Sequence, residues 1–368
     1  MADKKTRIGI IGVGQIGKHH LETYTKVPGA EVVAAADINE AELKRVAERY
    51  SIPNVYTDFR ELLKRTDIEA VDVCLHNNLH AGVTIAALEA GKHVYCEKPM
   101  AGAYCDAKAM LDAARRCSRR LSIQLSTLFA RETTIAKRLI DAGRLGHIYH
   151  ARSTGFRRRG RPFVDGYGTS NFVKKEIASG GALYDMGVYH ISQMLYLLGA
   201  PAVERISGRV YQETGMDEGR RKSSGYNVEE LGMGLVRLAG GITLDIIESW
   251  AIHLNAFEGS YVVGSAGGVR LAPLSFHATI DDVEVNETFE QDMTVNRWHD
   301  LGQMTAADDG PQPHWIAALQ GSAPLLPTAE IALQTMLISE GIYLSDRLGR
   351  EVTAAEVAEH SRSTALKV

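Results

Sequence analysis

Cysteine is scarce, with 4 in 368 residues (Cys74, Cys96, Cys105 and Cys117), and no two are spaced as C-x-x-C. That excludes a disulfide scaffold and a cysteine zinc site, and it fits reduced thiols in a cytoplasmic protein. No Pro/Ser-rich stretch marks a flexible linker, and no internal repeat is present. No run of 18 apolar residues exists, so neither a membrane span nor a membrane partner is expected. A leader is not expected either: residues 1–7 are polar, and the apolar run behind them is cut by Gly9, Gly12, Gly14 and Gly17. Charge of one sign is also lacking. With 41 Lys+Arg against 45 Asp+Glu, the net charge of −4 argues against a protein built to grip nucleic acid. What remains is an ordinary globular composition, 45% hydrophobic and 23% charged, long enough for two domains.

The first third alternates strand-like and helix-like segments. Apolar runs at 7–11, 31–36, 71–75, 93–96 and 121–125 read as strands, and 40–50, 81–90 and 103–119 as helices, with Gly91 as a helix-ending glycine. Such alternation predicts a doubly wound parallel sheet covered on both faces. After about residue 127 the rhythm changes. A helix at 132–142 is followed by longer strand-like runs at 148–157, 205–212, 233–238, 242–248 and 261–263, with glycine turns at 240–241 and 267–268. This predicts a second α/β domain with an open, mostly antiparallel sheet. The expected division is 1–127 for the first domain and 128–368 for the second, with residues 353–368 as a helix or frayed end.

Gly12-Val13-Gly14-Gln15-Ile16-Gly17 fits G-x-G-x-x-G between a strand and a helix, and Asp37 ends the next strand-like run. Here the first glycine permits the turn, the second lets backbone N–H groups meet a pyrophosphate, and the third lets helix and strand pack closely. The helix start offers unpaired donors and a positive dipole end. Asp37 suits the two ribose hydroxyls of NAD and would repel the extra phosphate of NADP; Ile38-Asn39 follows it, with no arginine. NAD is therefore the expected cofactor.

Lys98 stands where a buried strand meets a proline turn, in Ala90-Gly91-Lys92-His93-Val94-Tyr95-Cys96-Glu97-Lys98-Pro99. Ligands bind at the carboxyl ends of strands in such sheets. A lysine there is expected to be partly desolvated, with a lowered pKa suited to proton transfer. The A-G-K-H-V-x-x-E-K-P run, the glycine loop, and Asn77 with His80 together resemble the Gfo/Idh/MocA oxidoreductases (glucose–fructose oxidoreductase, inositol dehydrogenase and relatives). Gly180-Gly181-Ala182-Leu183-Tyr184-Asp185-Met186-Gly187 and the segment 327–352 are similar too, so the likeness spans nearly the whole chain. His76 replaces the proline usual before Asn77. The resemblance implies a Rossmann domain, a second domain whose sheet makes oligomer contacts (a dimer or tetramer), and Lys98 beside the nicotinamide. It also implies Gln15, Ile16, Asn77, His80 and Glu97 at the cofactor, beside Gly12, Gly14, Gly17 and Asp37.

A helical wheel started at Asp185 places Tyr189, Ser192, Gln193 and Tyr196 in one polar stripe on an otherwise apolar helix, so the stripe is expected to face the pocket. His190 falls among apolar positions, where a satisfied core histidine is the plainer reading. Many family members carry histidine four residues after the aspartate; here that place is Tyr189, as in glucose–fructose oxidoreductase.

The expected catalytic set is therefore Lys98, Asp185, Tyr189 and His190, with Tyr189 taking the proton and Lys98 lowering its pKa. Arg157, within a basic run 157–161, and Tyr167 are assigned to the substrate, with Trp250, His253 and Trp298 as further candidates. His19-His20 reads as an exposed polar helix face, and no metal is expected. The sum is an NAD-dependent dehydrogenase acting on a secondary hydroxyl of a sugar, sugar derivative or cyclitol. Alternatives are a glycosidase or lyase that keeps NAD bound for transient oxidation, and a non-catalytic NAD-sensing regulator.

Overall fold

The computed structural model describes residues 5–368, so residues 1–4 of the polar start lie outside it. Its first sheet has six strands: β1 (Thr6–Ile11), β2 (Ala30–Ala36), β3 (Asn54–Tyr56), β4 (Ala70–Val73), β5 (His93–Cys96) and β6 (Leu121–Ile123). All pair in parallel, in the order β3-β2-β1-β4-β5-β6. β4 is wholly buried and β1 nearly so, because helices cover both faces. The order reverses at β1, so the connections leaving the carboxyl ends of β1 and β4 part to opposite faces and leave a crevice there.

The second sheet has nine strands: β7 (Ile148–Phe156), β8 (Val203–Tyr211), β9 (Leu231–Leu238), β10 (Ile242–Ser249), β11 (Tyr261–Gly264), β12 (Gly268–Leu271), β13 (Leu274–Ile280), β14 (Val283–Thr288) and β15 (Val352–Thr353). The order is β14-β13-β12-β11-β7-β10-β9-β8-β15, antiparallel except for β7 with β10. The α/β class and both sheet types therefore match the sequence reading. The hairpin β13–β14 escaped it although Leu274, Phe276, Ala278 and Ile280 alternate in β13; β14 is largely exposed and has only Val283 and Val285 as apolar residues. Its turn, Asp281-Asp282, sits at φ of 50° and 65°.

One face of this sheet packs on the helices Val188–Leu197 and Thr328–Leu348, in a core that runs on into the first sheet. Leu244 and Ile246 of β10 are fully buried in that face. The chain also returns to the cofactor side late. Trp315, on the helix Pro311–Leu319, stacks on Tyr95 of β5 with ring centroids 6.0 Å apart. After the helix Ala354–His360, residues 361–368 run back along the helix Asn77–Glu89.

Candidate active site

The glycine turn has the geometry its sequence requires. Gly12 adopts φ +93°, and a Cβ there would lie 2.2 Å from the Cys74 carbonyl oxygen. A Cβ at Gly17 would lie 2.1 Å from the Gly12 carbonyl, so only glycine lets the helix Gln15–Tyr24 start this close to β1. A Cβ at Gly14 would meet nothing within 4 Å. Gly14, Gln15 and Ile16 are exposed, and no side chain caps the helix start, so its N–H donors face open space. The Asp37 carboxylate is pinned at this turn, accepting from the Val13 N–H at 2.9 Å and the Asn39 N–H at 2.8 Å. These residues fit a dinucleotide: an uncapped, uncrowded helix start for the pyrophosphate and a fixed acid for the ribose.

Two residues expected at the cofactor do other work. His80 is fully buried, with Nδ1 2.8 Å from the Pro99 carbonyl and Nε2 3.0 Å from that of Leu75. It ties the Asn77 loop to the proline turn and has no ring nitrogen left for a ligand. Glu97 is also buried: Oε1 lies 2.8 Å from His20 Nε2, and Oε2 accepts the Lys98 N–H at 2.9 Å. Asn77 opens its helix despite His76, and its Nδ2 donates to the Ala178 carbonyl at 2.8 Å, across to the second sheet's side.

His20 corrects the reading of an exposed histidine face. It is completely buried, between Glu97 and Asp72, whose Oδ2 is 2.9 Å from Nδ1. Burial disfavours its charged form, but Asp72 and Cys74 outweigh that, and its pKa stands well above 6.5. A protonated imidazole bridging two carboxylates satisfies three charges that would be costly alone. His20, Asp72 and Cys74 lie close enough to share an ion, yet all three are buried and mutually bonded.

At the junction of the two sheets, Lys98 Nζ donates to the Asp185 carbonyl and to Asp185 Oδ1, both at 3.1 Å. It lies over the Tyr189 ring, 4.6 Å from the centroid. Asp185 Oδ2 accepts from Trp250 Nε1 at 3.1 Å, and Arg157 Nη1 stands 3.5 Å from it. Arg157 also donates to the Tyr167 hydroxyl. The structure thus brings Lys98, Asp185, Tyr189, Arg157, Tyr167 and Trp250 into one cluster. His253 lines a separate basin with Arg158 and Arg220, and Trp298 packs under Arg138.

The electrostatics reverse one expectation. Burial pushes the Lys98 pKa down, but the Asp185 and Glu97 carboxylates outweigh it, so the amine is held above its ordinary 10.5. The charged form of Lys98 is therefore favoured in this cluster. Tyr189 moves the wrong way for a base. Burial raises its pKa above 10.0, and the nearby ammonium offsets only part of that. Burial also disfavours the Asp185 carboxylate, yet Lys98 and Arg157 keep its pKa below 3.8.

The helical wheel fails at its origin. Leu183–Gly187 is a π-turn, and a regular α-helix begins only at Val188. The wider i→i+5 turn absorbs about one extra residue, so it rotates everything downstream back relative to Asp185. His190, which a regular helix would turn away from the aspartate, moves toward it. Ser192 and Gln193 instead face helices, bonded to Thr335 at 2.8 Å and Thr133 at 2.6 Å, and Tyr196 lies near Lys137. The π-turn is held by Glu229, whose buried carboxylate accepts the Gly181 N–H at 2.8 Å and the Leu183 N–H at 3.0 Å.

His190 then gains a partner the sequence reading missed. Its Nδ1 lies 2.9 Å from Glu248 Oε2, and Glu248 Oε1 accepts from Ser153 Oγ at 3.0 Å. Burial lowers the His190 pKa, but the Glu248 charge and hydrogen bond outweigh it, for a net value above 6.5. A Cβ at Gly155 would lie 1.9 Å from Glu248 Oε2 and 2.7 Å from His190 Nδ1, so glycine is required for this pair to reach β7. A signal was available: Glu248 shares the inward parity of Leu244 and Ile246 on β10, where an unpaired charge would be expensive.

A parallel sheet with a glycine turn and an acid pinned beside it, and a lysine at its carboxyl edge against a second-domain aspartate, defines a dinucleotide-dependent oxidoreductase. The chain belongs to the Gfo/Idh/MocA family. The model described as "Oxidoreductase family, NAD-binding Rossmann fold" matches residues 6–125, and the GFO/IDH/MocA C-terminal domain matches 133–270. Among named relatives, the chain is 28% identical to D-glucoside 3-dehydrogenase of Escherichia coli (strain K12), over 96% of this chain and 98% of that one. It is 29% identical to myo-inositol 2-dehydrogenase of Thermotoga maritima, over 54% of this chain and 56% of that one. The crystal structure of an oxidoreductase domain protein from Kribbella flavida superposes with a TM-score of 0.80 at 21% identity, over 95% of this chain and 99% of that one.

Proposed function

We propose that the protein is an NAD-dependent dehydrogenase that oxidises a secondary hydroxyl of a sugar, sugar derivative or cyclitol. The observation that carries this reading is the contact of Lys98 with Asp185, 3.1 Å across the junction between the sheets, beside the His190–Glu248 pair. The residues that would hold NAD are the 12–17 turn and Asp37, with Asn77 beside them. Bound NAD supplies the hydride acceptor.

The chain's own residues handle the proton and the developing charge. Glu248 fixes His190 with Nδ1 protonated, which leaves Nε2 as the acceptor for the substrate hydroxyl proton. Lys98 has three N–H donors; two are engaged by Asp185, and the third, on the Tyr189 side, would turn to the alkoxide oxygen. Asp185 positions that ammonium. Arg157 and Tyr167 flank the cluster, where they would orient further substrate hydroxyls. Tyr189 keeps its proton and acts as a hydrogen-bonding wall, so the base assignment passes from Tyr189 to His190.

Residues 1–127 would bind cofactor, and 128–368 substrate, with 311–319 and 361–368 returning to the first unit. Association of copies through the second sheet is supported by Met233 and Leu235 on the solvent face of β9, 38% and 44% exposed. A cytoplasmic location is supported by four unpaired thiols. Among the described residues no helix is long and apolar enough to cross a membrane. The test is NADH formation at 340 nm against a panel of cyclitols, aldoses and glycosides. Oxidation of at least one with NAD is expected; NAD binding without oxidation of any would overturn the reading, and turnover without NADH release would point to the redox-neutral alternative.

A further inference from the structure

The adenosine end of the cofactor crevice has a wall that neither the glycine turn nor Asp37 provides. A cavity of about 320 Å³ opens beside Asp37 and Ile38, and Lys367 and Val368 form part of its lining. Leu75, Leu79 and Val83 complete an apolar surface suited to a flat heterocycle rather than a sugar. Ile38 is 92% exposed at this edge, an apolar side chain left without cover.

The segment that supplies the wall is tied down along its length. Ser361 Oγ accepts the Cys105 N–H at 3.0 Å and donates to Glu340 at 2.9 Å. The Thr364 N–H donates to Asp106 at 2.9 Å, and its hydroxyl to Asn78 Oδ1 at 3.1 Å. The Leu366 N–H donates to the Asn78 carbonyl at 2.8 Å. Val368 lies directly on Gly82, where an added Cβ would come within 2.9 Å of it. Asn78 Oδ1 also accepts from Ser179 Oγ at 2.6 Å, so one asparagine holds both this strap and the chain leading to the Asp185 turn.

We infer that residues 364–368 are a cofactor-binding element: Lys367 and Val368 wall the adenosine pocket of the dinucleotide, and Thr364 and Leu366 anchor them. This rests on the NAD reading of the glycine turn and is independent of which group takes the proton. Apolar cover on one more face of the adenine slows its escape, because that surface is kept from water.

The experiment removes residues 366–368 and measures dissociation constants for NAD and for AMP by calorimetry, with Asp37→Ala as the control. Full-length protein is expected to bind both. The truncation raises both constants about ten-fold, a loss of ~1.4 kcal/mol, and Thr364→Val raises them about three-fold. Unchanged or smaller constants on truncation would overturn the inference. Failure of the full-length protein to bind NAD would instead overturn the cofactor reading beneath it. If the truncated chain does not fold, as judged by circular dichroism, Val368→Ser is measured against the same criteria.

Discussion

The two ends of the crevice are built on different principles. At the cofactor end the machinery lies mostly in one stretch: Gly12, Gly14 and Gly17 sit on a single turn, and Asp37 bonds to Val13 within it. At the catalytic end Lys98, Asp185, His190 and Glu248 come from both sheets and are 150 residues apart at the extremes. The first end depends on backbone geometry, which glycine placement dictates. The second depends on paired charges, each expensive unless its partner arrives by folding. Damage at the first end should therefore weaken binding, and damage at the second should abolish chemistry or destabilise the fold.

The sharpest break of that comparison is Lys98→Ala. Turnover is expected to fall by about 10³-fold, with the NAD dissociation constant within about three-fold of the parent. A matching loss of NAD affinity would place Lys98 at the cofactor end instead. Next is the base. His190→Asn should lower kcat/KM by about 10²–10³-fold, while Tyr189→Phe should cost about ten-fold or less. The parent's kcat/KM for oxidation should decline as pH falls through a value above 6.5, because protonated His190 cannot accept the proton. Glu248→Gln removes the charge that raises that value, so the limb should move to lower pH. If the limb persists in His190→Asn but vanishes in Tyr189→Phe, the assignment is reversed.

Stability separates the ends in a third way. His20→Leu leaves Asp72 and Glu97 buried without their cation, at a cost of about 3–5 kcal/mol. Denaturant titration should show it as a lower midpoint. The His20 pKa is raised on folding, so its contribution is full below pH 6.5 and is lost as pH climbs through the folded value. The smallest effect is expected at Asp37→Ala. NAD affinity should drop about ten-fold, with turnover at saturating NAD near the parent's and discrimination against NADP reduced.

The sequence was most legible where local periodicity carries the signal. The parallel strands, the glycine turn and its acid, and the run ending at Lys98 could all be placed from spacing and resemblance. The polar stripe could not, because a wheel assumes 3.6 residues per turn and the π-turn at 183–187 breaks that assumption just at Asp185. His20 was misread for a related reason: it is polar and follows His19 on a helix, and only the packing of β4, β5 and the first helix shows that its ring is engaged by Asp72 and Glu97. His80 and Glu97, which the resemblance set at the cofactor, have side-chain bonds to backbone groups and to His20 that no spacing shows.

By itself, then, the order of residues determined the two sheet types, the dinucleotide turn and the lysine at the strand's end, since these follow from backbone sterics and the alternation of apolar side chains. Folding in three dimensions decided which acid each base meets. Whether His190 is a core histidine or a proton acceptor depends on Glu248, 58 residues away, and on the missing Cβ of Gly155 that lets them touch. Electrostatic pairing acts over a few ångströms of space and is blind to distance along the chain.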